Sequence, residues 1–99
     1  MEDKSREQVL AFLRRHKGEM QTRFGVTRLG LVGSCARDEA HAASDIDLVV
    51  TLQSDNRFRS FFGLLHFLQD HLHERIDLAT EDSLKPLVKE AVMKDIRYV

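Results

Sequence analysis

Hydrophobic positions recur along this chain with two different periods, which predict helices and strands in alternation. Apolar side chains spaced three or four residues apart predict two long helices, over residues 5–24 and 58–72. Short apolar or alternating runs predict strands over residues 26–32, 45–51 and 75–80. Helices and strands in this order predict a compact α/β domain in which helices pack on one sheet.

Glycine and proline mark where several of these elements end. The first helix is expected to fray or to be interrupted at Lys17 and Gly18, and Gly25 is expected to end it. Pro86 suits the first turn of a last helix that ends near Asp95. Residues 97–99 then predict a final edge strand.

The candidate chemistry lies where two strands meet a turn. Gly33 and Ser34 directly follow the first strand, and Ser34 starts a short predicted helix that extends to Asp38. Asp45 and Asp47 open the second strand one residue apart, so their side chains project from the same face, about 6.5–7 Å apart. Like charges held this close repel each other, and a divalent cation between them relieves the repulsion.

A third carboxylate, Asp77, lies on the polar face of the third strand. If the second and third strands are neighbours, Asp45, Asp47 and Asp77 converge, and three carboxylates can hold two Mg²⁺ ions for phosphoryl or nucleotidyl transfer. Gly33 allows a phosphate to approach the backbone closely, and Ser34 offers a hydroxyl and an N–H group to it. We therefore predict a metal and phosphate site formed by these residues.

Composition limits where and on what such a site acts. With 42% hydrophobic residues among 99, the chain can form one core, so we expect a single domain over 1–99. The net charge of −1 argues against broad nucleic-acid binding, although it leaves room for a small basic patch. A polar N-terminal segment, a single cysteine and no long apolar run predict a cytoplasmic protein without a membrane segment.

The motif resembles the signature of the DNA polymerase beta-type nucleotidyltransferases, which is Gly-Ser, a spacer, Asp-x-Asp and a third carboxylate on a later strand. Gly33, Ser34, Asp45, Asp47 and Asp77 match it by type and order. The match extends to the fuller forms Gly-Ser-x-Ala-Arg and Ser-Asp-Ile-Asp-Leu. The small size is similar to the minimal nucleotidyltransferases, the MNT subfamily. The resemblance implies a polymerase beta-like fold, with helices packed on a small mixed β-sheet.

The tail over residues 75–99 also resembles the MNT antitoxins that pair with HEPN toxins. The resemblance implies a Mg²⁺-dependent transfer of AMP from ATP to a tyrosine hydroxyl of a HEPN-type toxin, which neutralises the toxin. Such a toxin is expected to form a stable complex with this chain. We expect no residues to be left for a separate acceptor-binding domain, which favours a bound protein as the acceptor.

The resemblance also implies a role for each site residue. Asp45 and Asp47 would bind both metal ions, and Asp77 would complete the site and help to activate the hydroxyl. Gly33 and Ser34 would hold the β- and γ-phosphates of ATP. Two alternatives stay open: an antitoxin that neutralises by binding alone, and a nucleotidyltransferase with a small molecule or an RNA end as acceptor.

Several residues near the motif allow more than one interpretation. Many family members carry glycine where this chain has Asp38, and often an aromatic or basic residue where it has Cys35. Neither is a predicted metal ligand, so we expect activity to survive. Arg37 either meets phosphate or pairs with an acidic group, and pairing is slightly favoured. His41 lies in the loop between the two halves of the motif, where a contact to the nucleotide is the less favoured interpretation. The phenylalanines within 58–67 predict core, with part of them available to a partner.

Overall fold

The computed structural model describes residues 6–37 and 45–99, so the expectations for Ser5, Asp38 and His41 lie outside it. Within these residues the helices and strands follow the predicted order. Their bounds are α1 Arg6–Arg15, α2 Lys17–Phe24, β1 Val26–Val32, α3 Gly33–Ala36, β2 Ile46–Leu52, α4 Arg57–Leu72, β3 Ile76–Thr80, a 3₁₀ turn Glu81–Ser83, α5 Pro86–Met93 and β4 Arg97–Tyr98.

The four strands form one mixed sheet in the order β3-β2-β1-β4, which confirms the predicted sheet. Strand β2 is antiparallel to β1 and parallel to β3, while β4 pairs with the other edge of β1. The parallel register places Asp47 beside Asp77, and the antiparallel register places Val32 beside Asp47. The end of β1 and the starts of β2 and β3 therefore meet at one place.

One face of the sheet carries the hydrophobic core. Alternate residues of β1 and β2 turn toward α1, α2 and α4 and are almost fully buried. The largest buried side chains are Leu13, Met20, Leu29, Leu31, Leu48, Leu64 and Leu68. Because side chains alternate along a strand, Asp47 and Asp77 project from the opposite face, which α5 covers only in part.

The ends of the helices follow the predicted signals closely. The first helix breaks at His16, one residue before the predicted interruption, and restarts at Lys17. Gly25 ends α2 with φ 72°, a left-handed conformation that glycine adopts without steric cost. Helix α5 ends at Met93, before the predicted Asp95, because the chain must turn to enter β4. No helix in the described part is long and apolar enough to cross a membrane.

Candidate active site

Two carboxylates face each other where β2 and β3 run side by side. Asp47 and Asp77 are direct partners in the parallel register, so both side chains project from the same face of the sheet. The two carboxyl groups are close enough that protonated Asp47 can donate a hydrogen bond to Asp77, which favours the protonated form of Asp47. Two of the three predicted carboxylates are thus adjacent, as the sequence predicted for neighbouring strands.

The electrostatic environment of Asp47 disfavours its charged form. Burial raises the pKa of its carboxyl group to about 6 from an ordinary value of 3.8. The negative charges of Asp77 and Asp45 and the hydrogen bond to Asp77 add to the increase, and the positive charge of Arg37 opposes it. Strongly shifted carboxyl groups in a cleft are typical of functional sites, where burial and neighbouring like charges are brought together for chemistry.

The third carboxylate, Asp45, lies one residue before β2 and forms an ion pair with Arg75. The distance from Arg75 Nε to Asp45 Oδ1 is 3.3 Å. The backbone holds the two residues together, since Ile46 N–H donates to the carbonyl of Arg75 at 2.9 Å. Among the residues described, no three acidic, histidine or cysteine side chains are gathered as a metal cage. The predicted convergence is therefore observed for Asp47 and Asp77, with Asp45 held beside them by Arg75.

Gly33 brings the backbone against the carboxylate of Asp47. Its φ of 73° lies in the left-handed region, and a Cβ atom added there would collide with Asp47 Oδ2. Ser34 follows as the second residue of α3, so the glycine of the Gly-Ser motif is the residue that meets Asp47. The turn and the acidic pair, separated in sequence, are neighbours in the fold.

An open cleft of about 440 Å³ is lined by the two carboxylates and by residues of α5. Arg37 and Asp95 both line this cleft and form an ion pair of 3.7 Å. Sequence reasoning proposed an acidic partner for Arg37 but could not select Asp95. It missed Arg75 as the partner of Asp45, because that contact depends on the order of the strands.

The aromatic residues of α4 are divided between core and surface. Phe67 belongs to the core, whereas Phe58 is 76% exposed and Phe62 is 41% exposed. The prediction of a mixed role for this cluster agrees with their placement. These side chains lie on α4, so they do not contribute to the carboxylate cleft.

The residues at the cleft fit a divalent cation of the Mg²⁺ type. Mg²⁺ prefers hard oxygen ligands and is usually held by one or two carboxylates together with phosphate oxygens and water. Asp47 and Asp77 supply two facing carboxylates; burial is the main cause of the raised pKa of Asp47, and the charge of Asp77 adds a repulsion that a cation would offset. Asp45 is near enough for its charge to contribute to that repulsion.

The raised pKa of Asp47 predicts that the metal-free protein is more stable at pH 5 than at pH 7.5. The folded protein holds this proton more tightly than the unfolded chain, so the stabilisation is complete below pH 3.8 and is lost as pH rises through about 6. Thermal unfolding with a chelator at both pH values measures the difference. Glu19 and Asp82 do not oppose it, because their pKa values are lowered and their contributions change at more acidic pH.

Comparison with known sequences identifies similar proteins over nearly the whole chain. Residues 13–99 match the family model described as nucleotidyltransferase domain. The chain is 34% identical over 93 residues to the protein adenylyltransferase MntA of Thermococcus cleftensis, with 94% of each chain covered. It is 32% identical over 99 residues to a protein of Methanocaldococcus jannaschii that is provisionally named protein adenylyltransferase MJ1379, covering 97% of this chain and 99% of the relative.

Two solved structures share the fold. One, provisionally described as a minimal nucleotidyltransferase, superposes with a TM-score of 0.80 at 29% identity over 94% of both chains. The other belongs to a toxin–antitoxin crystallised with AMP-PNP, and it superposes with a TM-score of 0.66 at 19% identity. That second match covers 94% of this chain and 70% of the other, and at this identity it bears on the fold alone.

Proposed function

We propose, from the premise that this chain belongs to the nucleotidyltransferase domain family, that it transfers AMP from ATP to a tyrosine hydroxyl of a HEPN-type toxin. The modification would neutralise the toxin, and the two proteins would form a stable complex. The observation that carries the proposal is Asp47 in register beside Asp77, with the backbone of Gly33 against Asp47. The name of the MntA relative, protein adenylyltransferase, supports protein as the acceptor class and an adenylyl group as the group transferred.

Each site residue has a role in this proposal. Asp45, Asp47 and Asp77 would hold two Mg²⁺ ions, and Gly33 and Ser34 would receive the β- and γ-phosphates of ATP. Bound Mg²⁺ supplies charge neutralisation of the triphosphate and lowers the pKa of the attacking hydroxyl. Asp77, whose side chain is exposed, would accept the proton of that hydroxyl.

Asp45 can leave Arg75 at little cost. The side chains of this ion pair are 46% and 79% exposed, and exposed pairs contribute only about 0–1 kcal/mol. A ligand role for Asp45 therefore requires an inexpensive side-chain rotation. Until that rotation, Arg75 neutralises one of the three negative charges at the cleft.

The test of this proposal is AMP transfer by a double variant, Asp45→Ala with Asp47→Ala. Wild-type protein, Mg²⁺ and ATP labelled in the α-phosphate are incubated with the partner toxin, with RNA and with aminoglycoside-like small molecules. We expect label on the toxin with the wild type and none with the double variant, since the variant lacks two predicted metal ligands. Mass spectrometry of the labelled toxin identifies the modified side chain.

A matched control carries Asp55→Ala with Asp70→Ala, two exposed carboxylates outside the cleft. It changes the net charge equally and should transfer AMP at the wild-type rate. If the Asp45/Asp47 variant still neutralises the toxin fully, neutralisation works by binding and transfer is not the mechanism. Label found only on RNA or a small molecule would contradict the protein acceptor.

A further inference from the structure

The cleft beside the carboxylates is lined largely by apolar side chains, which binding of metal ions and phosphate groups does not require. Beyond Asp47 and Asp77 it is lined by apolar side chains from both the sheet and the elements that cover it: Val49, Ala79, Leu84, Val88, Ala91 and Val92. Helix α5 supplies three of these, yet no residue of α5 is buried. An apolar helix face thus lines an open cleft instead of completing the core.

The composition of this lining favours a ligand that is mostly apolar and carries few polar atoms. The polar side chains that line the cleft are Asp47, Asp77 and the ion pair of Arg37 with Asp95. The other lining side chains offer no hydrogen-bond donors or acceptors. An adenine base buried there would leave ring nitrogens without side-chain partners, which is costly, whereas a phenol ring has no polar atom except its hydroxyl.

We propose that this cleft is the acceptor subsite and that it holds the aromatic ring of a tyrosine with its hydroxyl directed toward Asp77. The inference rests on the proposed function and specifies how the acceptor is recognised. The cleft volume of about 440 Å³ falls within the range of about 300–1,000 Å³ typical of ligand pockets. Serine and threonine would place their hydroxyl groups there without filling the apolar walls.

In this arrangement, AMP transfer forms one bond to phosphorus and breaks another. The phenolic oxygen forms a bond to the α-phosphorus of ATP, and the bond from that phosphorus to the bridging oxygen of the β-phosphate breaks. Pyrophosphate leaves with the electron pair of the broken bond. The phenolic proton passes to the carboxylate of Asp77, and no oxidant or reductant is needed.

Helix α5 offers a matched pair of positions for the test. Val88 lines the cleft and is 48% exposed, whereas its neighbour Leu87 is 81% exposed and does not line it. Val88→Gln introduces a polar side chain into the apolar wall, and Leu87→Gln places the same side chain in solvent. Because neither residue is buried, both variants are expected to fold.

Two measurements test the subsite. The first is the rate of AMP transfer to the toxin, which Val88→Gln should lower about tenfold or more, while the affinity for Mg²⁺ with a non-hydrolysable ATP analogue stays unchanged. Leu87→Gln should match the wild type in both. The second is methyl NMR of wild-type protein with Mg²⁺ and that analogue. Added N-acetyltyrosinamide should shift the methyl signals of Ala79, Leu84, Val88 and Val92, and N-acetylserinamide should not.

The NMR titration does not depend on transfer, so the two proposals can fail separately. If phenol binding is observed but the toxin is never modified, the proposed function fails and the subsite stands. If AMP is transferred but Val88→Gln equals Leu87→Gln and the tyrosine derivative shifts no methyl signal, the subsite inference is wrong. It is also overturned if the nucleotide analogue alone shifts these methyl groups and blocks the tyrosine derivative, because adenine is then the occupant.

Discussion

Replacing Asp47 by asparagine should abolish AMP transfer and, at the same time, stabilise the metal-free protein. The variant removes a predicted metal ligand whose contribution to the transition state is several kcal/mol, so the rate should fall by about a thousandfold or more. It also removes a charge that burial and two neighbouring carboxylates disfavour. Because the side chain is half-buried, we expect a gain of about 1–2 kcal/mol at pH 7.5, less than the full pKa shift would give.

Thermal unfolding with a chelator measures the gain as an increase in Tm of roughly 5–10 °C for a domain of this size. The same variant should lose the dependence of stability on pH between 5 and 7.5. Asp82→Asn is the control, because Asp82 is an exposed carboxylate whose pKa is lowered by Arg57. It should leave transfer unchanged and should not raise Tm. A fall in Tm for Asp47→Asn would mean that the Asp47 charge stabilises the fold, against our interpretation of its environment.

The elements of this fold were predictable from local pattern, because each strand and helix has its own period and its own end signals. Strand β1 was predicted at its observed bounds of Val26–Val32. Strand β2 was predicted one residue early, at Asp45, because the ladder begins where Ile46 N–H finds the carbonyl of Arg75. That partner directly precedes β3, and the local sequence around Asp45 carries no information about it.

The site was predictable only as far as spacing along the chain determines it. Alternation along a strand places Asp47 on the face opposite to Ile46 and Leu48, and the structure agrees. The approach of Asp77 depended on β3 pairing with β2 in parallel register, which the sequence analysis could state only as a condition. The ion pair of Arg37 with Asp95 joins residues far apart in the chain. Such contacts follow from topology, which residue types alone do not specify.

The burial of helix α5 also could not be predicted from the sequence. The sequence predicted a helix that starts at Pro86, and it carried no information on what the apolar side of that helix contacts. The structure leaves its residues unburied beside the cleft. Burial depends on what faces a helix, so a stretch of valine and leucine cannot by itself distinguish a core helix from the wall of a binding site.

Replacing Gly33 by alanine should damage the site through one defined contact. The backbone at this position has φ 73°, and an L-residue in that region costs about 1–2 kcal/mol. The added methyl group would also collide with Asp47 Oδ2, so the carboxylate must move. Displacing a catalytic group by about 1 Å can cost about a hundredfold in rate. We therefore expect a lower Tm and a loss of transfer of at least about tenfold, measured by thermal unfolding and by incorporation of labelled AMP.

Gly18→Ala is the matched control for this variant. Gly18 lies in α2, and a Cβ atom there meets nothing within 4 Å. Alanine should stabilise that helix by up to about 1 kcal/mol and leave transfer unchanged. The two substitutions add the same methyl group, so a difference between them reports the environment of each glycine.

A double-mutant cycle with Asp47→Ala separates the two causes of the damage at Gly33. The backbone strain at φ 73° remains in any background, whereas the collision needs the Asp47 carboxylate. In the Asp47→Ala background, Gly33→Ala should therefore lower the free energy of unfolding by the strain alone, about 1–2 kcal/mol. A cost that is the same in both backgrounds would show that the methyl group does not act through Asp47. The glycine of the motif would then serve the turn and not the placement of the carboxylate.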